Sequence, residues 1–373
     1  MSVDKKIRIA QVMGKMNYGG VEAVVMNYFR NIDRNNIQFD FIVDEDSILP
    51  QKEEILRLGG NIYKVPKYQK LPAYLKAVYK IFKQGNYTIV HAHMNTLSVF
   101  PLAMATLAKV PIRIAHSHST DGKGEVIRNM IKGILKPFSK LFTTHYFACS
   151  AFSGEWLFGK SAMKKGKITL IHNAIATEKF RFSSKVRDKK RKELGVEKSF
   201  VIGHIGRFMP QKNHTFLLDM FEQIYQKRKD AVLLLVGDGK LEEEMKQKAK
   251  QIGINKACKF LENRTDVDEL YQAMDVFVLP SLYEGLPVVG IEAQTSGVRT
   301  ILSSAMTKET KVLDNTVFLN LEDGKEKWAE AVLQKQNVKR DNAVDKVKMQ
   351  GYEIAIEANK LEKIYEEMVK EYA

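Results

Sequence analysis

The stretch VFVLPSLYEGLPVVGIEAQTSG, Val276 to Gly297, decides how this chain is read. It opens on an uninterrupted apolar run ending at Pro280, as a strand buried on both faces of a parallel sheet does. Glu284 and the turn Gly285-Leu286-Pro287 follow, and a helix is expected from about Pro287, whose missing N–H costs nothing in a first turn. Glu292 falls on that helix, with seven residues between the two acids. A strand, a loop bearing a carboxylate and a helix start make the crevice at the carboxyl end of an open α/β sheet. Ligands bind in such crevices, and free N–H groups at the helix start favour an anion. The plainer alternative for this stretch alone is a surface loop with a solvated helical glutamate.

Working outward, the same scheme repeats. IRIAQVM, FDFIVD, TIVHAHM, IRIAHSH and YFACS, then VIGHIGRF, AVLLLVGDG and CKFLEN, are short apolar runs with helical stretches between them. That alternation predicts parallel sheets in both halves. A chain of 373 residues fits two doubly wound α/β domains, with chemistry expected in a cleft between them. The basic run RFSSKVRDKKRKELGVEKS, Arg181 to Ser199, reads as a linker plus a short helix. The composition, 45% apolar and 28% charged, excludes a disordered chain. Cys149 and Cys258 stand far apart without metal spacing, which argues against a disulfide framework or a cysteine metal site and suits a reducing cytosol. LSVFPLAMATLA is too short to cross a bilayer and no signal segment is evident, so a soluble or peripheral cytoplasmic protein is expected.

Other strand ends carry chemistry too. Gly19 and Gly20 precede a helix and would let backbone approach a phosphate closely, although the spacing lacks the dinucleotide G-x-G-x-x-G. Arg207 and Lys212 share the loop after VIGHIG and would bind a diphosphate, the first by its fork and the second as a point charge; a solvated surface pair is the alternative. HAHM supplies His93, and HSHS supplies His116 and His118, which as alternate strand residues point the same way. The acids Asp44 to Asp46 in VDEDS match a metal-holding D-x-D, but three acids after a strand are ordinary, and no metal site is expected.

Taken in order, GG after the first strand, the HxH strand ends, GRFMPQKN and PSLYEGLPVVGIEAQTSG resemble the family 4 retaining glycosyltransferases of the GT-B fold. HYFACSAFSGEWLFG, IHNAIATEKF and DVDELYQAMDVFVLPSLYEGLPVV are similar to members that build bacterial exopolysaccharide or capsule. The resemblance spans nearly the whole chain. It implies an α/β GT-B enzyme, two Rossmann-like doubly wound parallel-sheet domains facing a central cleft. Residues 1–180 would bind the acceptor, residues 181–350 the nucleotide-sugar, and the helix at about 351–373 would pack back on the first domain.

The resemblance also implies roles. Glu292 would accept hydrogen bonds from the ribose hydroxyls, and Glu284 would lie by the donor sugar. The N–H groups of Gly285, Leu286 and Val288, around Pro287, would face the phosphates, and Arg207 and Lys212 would stabilise the departing diphosphate without a divalent cation or other cofactor. The base would pack near Phe260 and Leu261. His116, with His118 second, would hydrogen-bond the donor sugar or position the acceptor in front-face transfer. A UDP-sugar donor follows from family habit. Glu262 and Asn263, where relatives have glycine first, and Arg299, where proline is commoner, depart from the pattern. Rival readings stay open: an epimerase or phosphorylase on this fold, or a non-catalytic basic module for membrane or nucleic acid.

The net charge of +15 is uneven: the first 190 residues carry 31 Lys and Arg against 14 Asp and Glu, the remaining 183 carry 28 against 30. Between Glu54 and Asp121 there is no acid, only Arg57, Lys64, Lys67, Lys70, Lys76, Lys80, Lys83, Lys109 and Arg113, with Tyr63, Tyr68, Tyr74, Tyr79 and Phe82 interleaved. Arg128, Lys132, Lys136 and Lys140 form a stripe four residues apart, with Ile127, Ile131, Ile134, Leu135 and Phe138 on other faces. Such segments suit an anionic membrane surface, at about 1 kcal/mol per cation. A lipid-diphosphate-linked glycan acceptor would account for this better than nucleic acid, which is not expected as a partner. A solvated helix packed by its apolar face is the plain alternative.

Overall fold

The structure, a computed structural model, describes residues 6–119, 126–335 and 340–372, those of 126–128 by backbone alone. The chain forms two compact units, one built from the described residues up to Ala174 together with those from Ile354 onward, the other from Ile175 to Glu353.

The first unit is built on a seven-stranded parallel sheet. In chain order its strands are β1 (Ile7–Gly14), β2 (Ile37–Asp44), β3 (Ile62–Val65), β4 (Ile89–Ala92), β5 (Ile112–Ser117), β6 (His145–Ala148) and β7 (Ile168–Leu170). They lie in the order β3-β2-β1-β4-β5-β6-β7, so the winding reverses between β1 and β4. Every residue of β2 and of β4 is buried, including the polar Gln38, Asp40 and Asp44 of β2 and His91 of β4. The Ile354–Glu371 helix belongs to this unit and packs on the Gly20–Asn31 helix.

The second unit holds a six-stranded parallel sheet. Its strands are β8 (Phe200–Ile205), β9 (Ala231–Val236), β10 (Cys258–Leu261), β11 (Val276–Leu279), β12 (Arg299–Ser303) and β13 (Thr316–Leu319), ordered β10-β9-β8-β11-β12-β13. Its winding reverses between β8 and β11. Leu217, Phe221, Leu233, Leu235, Val278 and Trp328 are among the side chains filling one face of this sheet.

The short helix expected in the Arg181–Ser199 run is present, but the run lies within the second unit rather than linking the two. Ser184–Leu194 is a helix capped by the Ser183 hydroxyl, which accepts from Val186 N–H, and closed by Gly195 in the left-handed region. Three of its cations are tied into the second unit: Arg187 pairs with Asp275 at 2.5 Å, Lys190 with Asp266 at 2.6 Å and Arg191 with Asp275 at 3.2 Å. A charged run reads as solvated from sequence, whereas here its partners, Asp266 and Asp275, arrive from distant positions. Among the basic segment's residues, Tyr74 and Phe82 are core rather than surface, and Arg113 donates to the carbonyls of Phe142 and Val110. Asp121 and the side chains of Ile127 and Arg128 lie outside the described residues.

Candidate active site

The switch point of the six-stranded sheet is where strand-end loops can converge on a ligand. After β8 the chain turns through Gly206 and Arg207 into a short 3-10 turn, Pro210–Lys212. This loop lies against Gly237 and Gly239, whose φ values are +138° and +147°; a Cβ at either would come within 2.5 Å of a carbonyl oxygen, of Gly206 or of Phe208. Only glycine permits that approach.

The turn is laced to the loop after β11. Leu282 N–H donates to Gln211 O at 2.8 Å, and Asn213 Nδ2 to Pro280 O at 3.2 Å. Gln211 Nε2 donates to Glu284 Oε2 at 3.1 Å, and Lys212 Nζ to Glu284 Oε1 at 2.6 Å. Both Glu284 oxygens are thus engaged, and the ammonium keeps N–H groups for a further acceptor. Arg207 is exposed, and among the described residues nothing accepts from its guanidinium. The fold therefore brings Arg207, Lys212 and Glu284 to one sheet end, with Gln211 as a partner that sequence reasoning did not single out.

The helix beyond this loop is Val288–Thr295. It starts one residue later than expected, with Pro287 in the extended cap position and no side chain capping the first turn. Gly285, Leu286, Pro287 and Val288 are buried. Glu292 is partly buried on the second turn, and the Tyr271 hydroxyl donates to its Oε2 at 3.0 Å. Burial pushes this carboxyl up to about 7, against the opposing pull of the Tyr271 hydrogen bond and of Lys179, while Asp268 adds a smaller push. Leu261 ends β10, and its carbonyl accepts from Gly237 N–H at 3.0 Å. Phe260 stacks on Phe208 at 5.9 Å, and the exposed Asn263 donates to Asp238 at 2.7 Å.

In the seven-stranded sheet the histidines form something larger than the expected pair. Ala92 of β4 pairs with Ala115 of β5, which aligns the two HxH segments on one face. His116 and His118 stack with centroids 3.9 Å apart, His91 and His93 at 4.2 Å, and His91 and His116 at 5.1 Å. His116 and His118 are not open strand-end groups: they are 2% and 7% exposed. Burial, then the neighbouring imidazoles, holds His116 well below its usual range, and burial pushes His118 down to about 3, so both are neutral at pH 7. His91 was missed; the signal was the first HxH repeating the second.

The ring nitrogens of His91, His93 and His116 lie within 4.8 Å of one another, the metal-ligand spacing found among the described residues. They are occupied instead with one another, with Tyr365, with His118 and with Gln11, apart from His116 Nε2. Asp46 is held by Lys15 and Lys67, each at 2.7 Å, and Glu45 by Lys70 at 3.2 Å. The expected phosphate approach at Gly19 needs correction: a Cβ there would lie 2.2 Å from Glu22 Oε2, and Asn17 N–H donates to Glu22 Oε1 at 3.2 Å. A carboxylate of the chain itself stands at that turn, and it would repel a phosphate; a Cβ at Gly20 meets nothing within 4 Å.

Residues 186–339 match the glycosyl transferases group 1 and residues 18–179 match Glycosyltransferase Family 4. EpsF of Bacillus subtilis is 35% identical over 87% of this chain and 86% of its own length. The chain belongs to the group 1 glycosyltransferases. An Escherichia coli relative, UDP-Gal:alpha-D-GlcNAc-diphosphoundecaprenol alpha-1,3-galactosyltransferase, is 28% identical to this glycosyltransferase over 81% of each chain. Anabaena HepE, solved with UDP-glucose, superimposes with a TM-score of 0.80 at 16% identity, covering 97% of this chain and 100% of its own, a likeness of fold. The architecture is GT-B.

Proposed function

We propose that this glycosyltransferase moves a hexose-type sugar from a UDP-sugar to a lipid-diphosphate-linked glycan, with retention and without a metal ion, in the synthesis of an exopolysaccharide or capsule. The observation that carries the reading is the constellation at the β8 and β11 ends: an exposed Arg207, Lys212 braced on Glu284, and an uncapped helix start two turns of which lead to Glu292. The cations and the N–H groups of Gly285, Leu286 and Val288 take the diphosphate, Glu292 takes the ribose diol, and Glu284 stands by the sugar. As the bond from C1 to the phosphate oxygen breaks, the acceptor oxygen bonds C1 from the same face, and its proton passes to the leaving phosphate oxygen. Neutral His116 and His118 act by hydrogen bonding rather than by charge. The printed name of the Escherichia coli relative gives a UDP-Gal donor and a diphosphoundecaprenol-linked acceptor, which supports both choices.

The test is calorimetric titration with UDP, GDP and ADP in chelator. UDP is expected to bind, and Arg207→Ala and Glu292→Ala each to weaken it by about tenfold or more, the value of one charge-assisted hydrogen bond. Binding that survives both changes, or that needs a metal, removes the donor-site assignment. Recovery of a sugar phosphate or an epimer instead of a glycoside would select a rival activity.

We further infer that the first unit meets an anionic membrane surface. Among the described side chains of the Val126–Leu135 helix and the Lys136–Lys140 turn, Met130 is 60% exposed, Ile134 61% and Phe138 50%, while Leu135 is partly buried. Lys132 and Lys136 lie beside them over the Trp156 ring, at 5.9 and 4.8 Å. Apolar side chains presented beside cations suit an interfacial helix, which supports this reading over a helix packed by its apolar face.

A further inference from the structure

At the carboxyl end of the seven-stranded sheet the loops after β1 and β2 are laced together. Met16 N–H donates to Ser47 Oγ at 3.0 Å, Ile48 N–H to Asn17 Oδ1 at 2.9 Å and Leu49 N–H to Met16 O at 3.1 Å. Glu45 N–H donates to Val65 O at 2.8 Å, which ties the end of β3 to the same place. On this scaffold Lys15, from the loop after β1, and Lys67, from the loop after β3, each stand 2.7 Å from one oxygen, Asp46 Oδ2. An ammonium has three N–H groups, so each keeps donors for a further acceptor, and two cations on one carboxylate leave a net positive charge. Lys15 and Lys67 are 50% and 39% exposed, so that charge faces solvent. Lys70 is taken by Glu45 at 3.2 Å, and Lys64 reaches the carbonyls of Glu45 and Ser47 rather than a carboxylate. Asp44, the last residue of β2, is a second and independent observation. It is 6% exposed, and its Oδ1 is buried with no partner among the described residues. Burial and then Asp46 push its carboxyl up while Lys15 and Lys67 pull it down, so the same cations bear on it. An unpaired buried carboxylate oxygen destabilises the fold unless something donates to it.

A ligand that answers both observations brings negative charge to the two ammonium groups and a hydroxyl to the carboxylate; a sugar diphosphate has both. We propose that this cluster seats the sugar-diphosphate end of the acceptor: Lys15 and Lys67 take the diphosphate, which displaces Asp46 from between them, and Asp44 accepts a hydroxyl of the adjoining sugar. This rests on the reading that the acceptor is a lipid-diphosphate-linked glycan. Asp46 stands where the diphosphate will stand. It holds two flexible lysine side chains converged before the ligand arrives, which is preorganisation, but it also competes with the ligand for them. The sign of its removal is therefore opposite to that of removing either lysine.

The test is calorimetric titration of the full chain with inorganic pyrophosphate at low ionic strength, in saturating UDP so that the Arg207 site is filled. Pyrophosphate is expected to bind, Lys15→Ala and Lys67→Ala each to weaken it by about tenfold or more, and Asp46→Asn to tighten it several-fold. No binding, or binding that Asp46→Asn leaves unchanged or weakens, overturns the proposal, since an ion pair serving the fold alone gives no such gain. An alkyl hexosyl diphosphate is expected to bind more tightly than a dialkyl diphosphate of the same charge, and Asp44→Asn to remove most of that difference. A sugar that adds nothing, or a difference that Asp44→Asn leaves intact, overturns the role of Asp44; if that variant does not fold, the wild-type comparison decides. Membrane phosphate carries the same charge, so the lysine variants are also sedimented with liposomes containing anionic phospholipid. Unchanged co-sedimentation is expected, and its loss would give the seat to lipid headgroups instead. Failure of the underlying reading looks different: the probes bind as stated, but transfer to a hexose on a neutral alkyl chain is as fast as to the alkyl hexosyl diphosphate. The acceptor then needs no diphosphate, and the seat is not the acceptor's.

Discussion

On the donor-site reading proposed above, protonation of Glu292 couples binding to stability. With its carboxyl pushed up to about 7, it is protonated on the acid side of neutrality, and a protonated acid accepts a ribose diol poorly. Nucleotide affinity measured by calorimetry is expected to fall by up to tenfold per pH unit below about 7. Stability follows the opposite sign. The folded value lies above the ordinary 4.5, so the native state binds the extra proton; the stability this confers is fully present below about pH 4.5 and lost as pH rises through about 7. Glu292→Gln is therefore expected to raise unfolding free energy at pH 8 by on the order of 1–3 kcal/mol, with little change at pH 4, in urea titrations. A variant that is stabler but binds UDP worse would fit a carboxylate kept for function.

The strand, loop and helix around Glu284 were legible as an element because their features are local: an apolar run ended by Pro280, a turn, and a helix start. Short strands were less so. β3 reads IYKV with a lysine inside it, β7 has only three residues, and β12 begins on Arg299 and Thr300, so no continuous apolar run announces these three. The Val126–Leu135 helix illustrates the other limit, since its amphipathic pattern is plain but which face is buried is decided by its neighbours. The exposed outcome makes a prediction that belongs to this element. Ile134→Asp with Phe138→Asp should reduce co-sedimentation with liposomes containing anionic lipid several-fold, while UDP binding stays unchanged. Co-sedimentation indifferent to anionic lipid, or to both changes, would count against a membrane partner. Burying each of these side chains in lipid is worth about 1.5–3 kcal/mol, enough for the loss to be visible.

For the molecule as a whole, two cores and two sheets imply two cooperative units. Calorimetric unfolding is expected to show two transitions, with UDP raising only the one that belongs to residues 175–353, by about 2.7 kcal/mol at a hundredfold excess over Kd. A single transition, or a shift in the other one, would move the donor site. What the sequence by itself determined was the doubly wound class, the strand-end loop positions of Arg207, Lys212 and Glu284, the helical position of Glu292, and the shared face of His116 and His118, because these follow from periods of two and 3.6 residues along a continuous chain. What only the tertiary structure decided was that Gln211 and Lys212 each engage one Glu284 oxygen, that a basic run is a helix ion-paired to Asp266 and Asp275, and that the two HxH strands are hydrogen-bonded to each other, His91 to His116 and His93 to His118, with Tyr365 on His91 and Gln11 on His93. Those partners come from far along the chain, and a hydrogen bond depends on where packing brings two groups together, which no local period encodes.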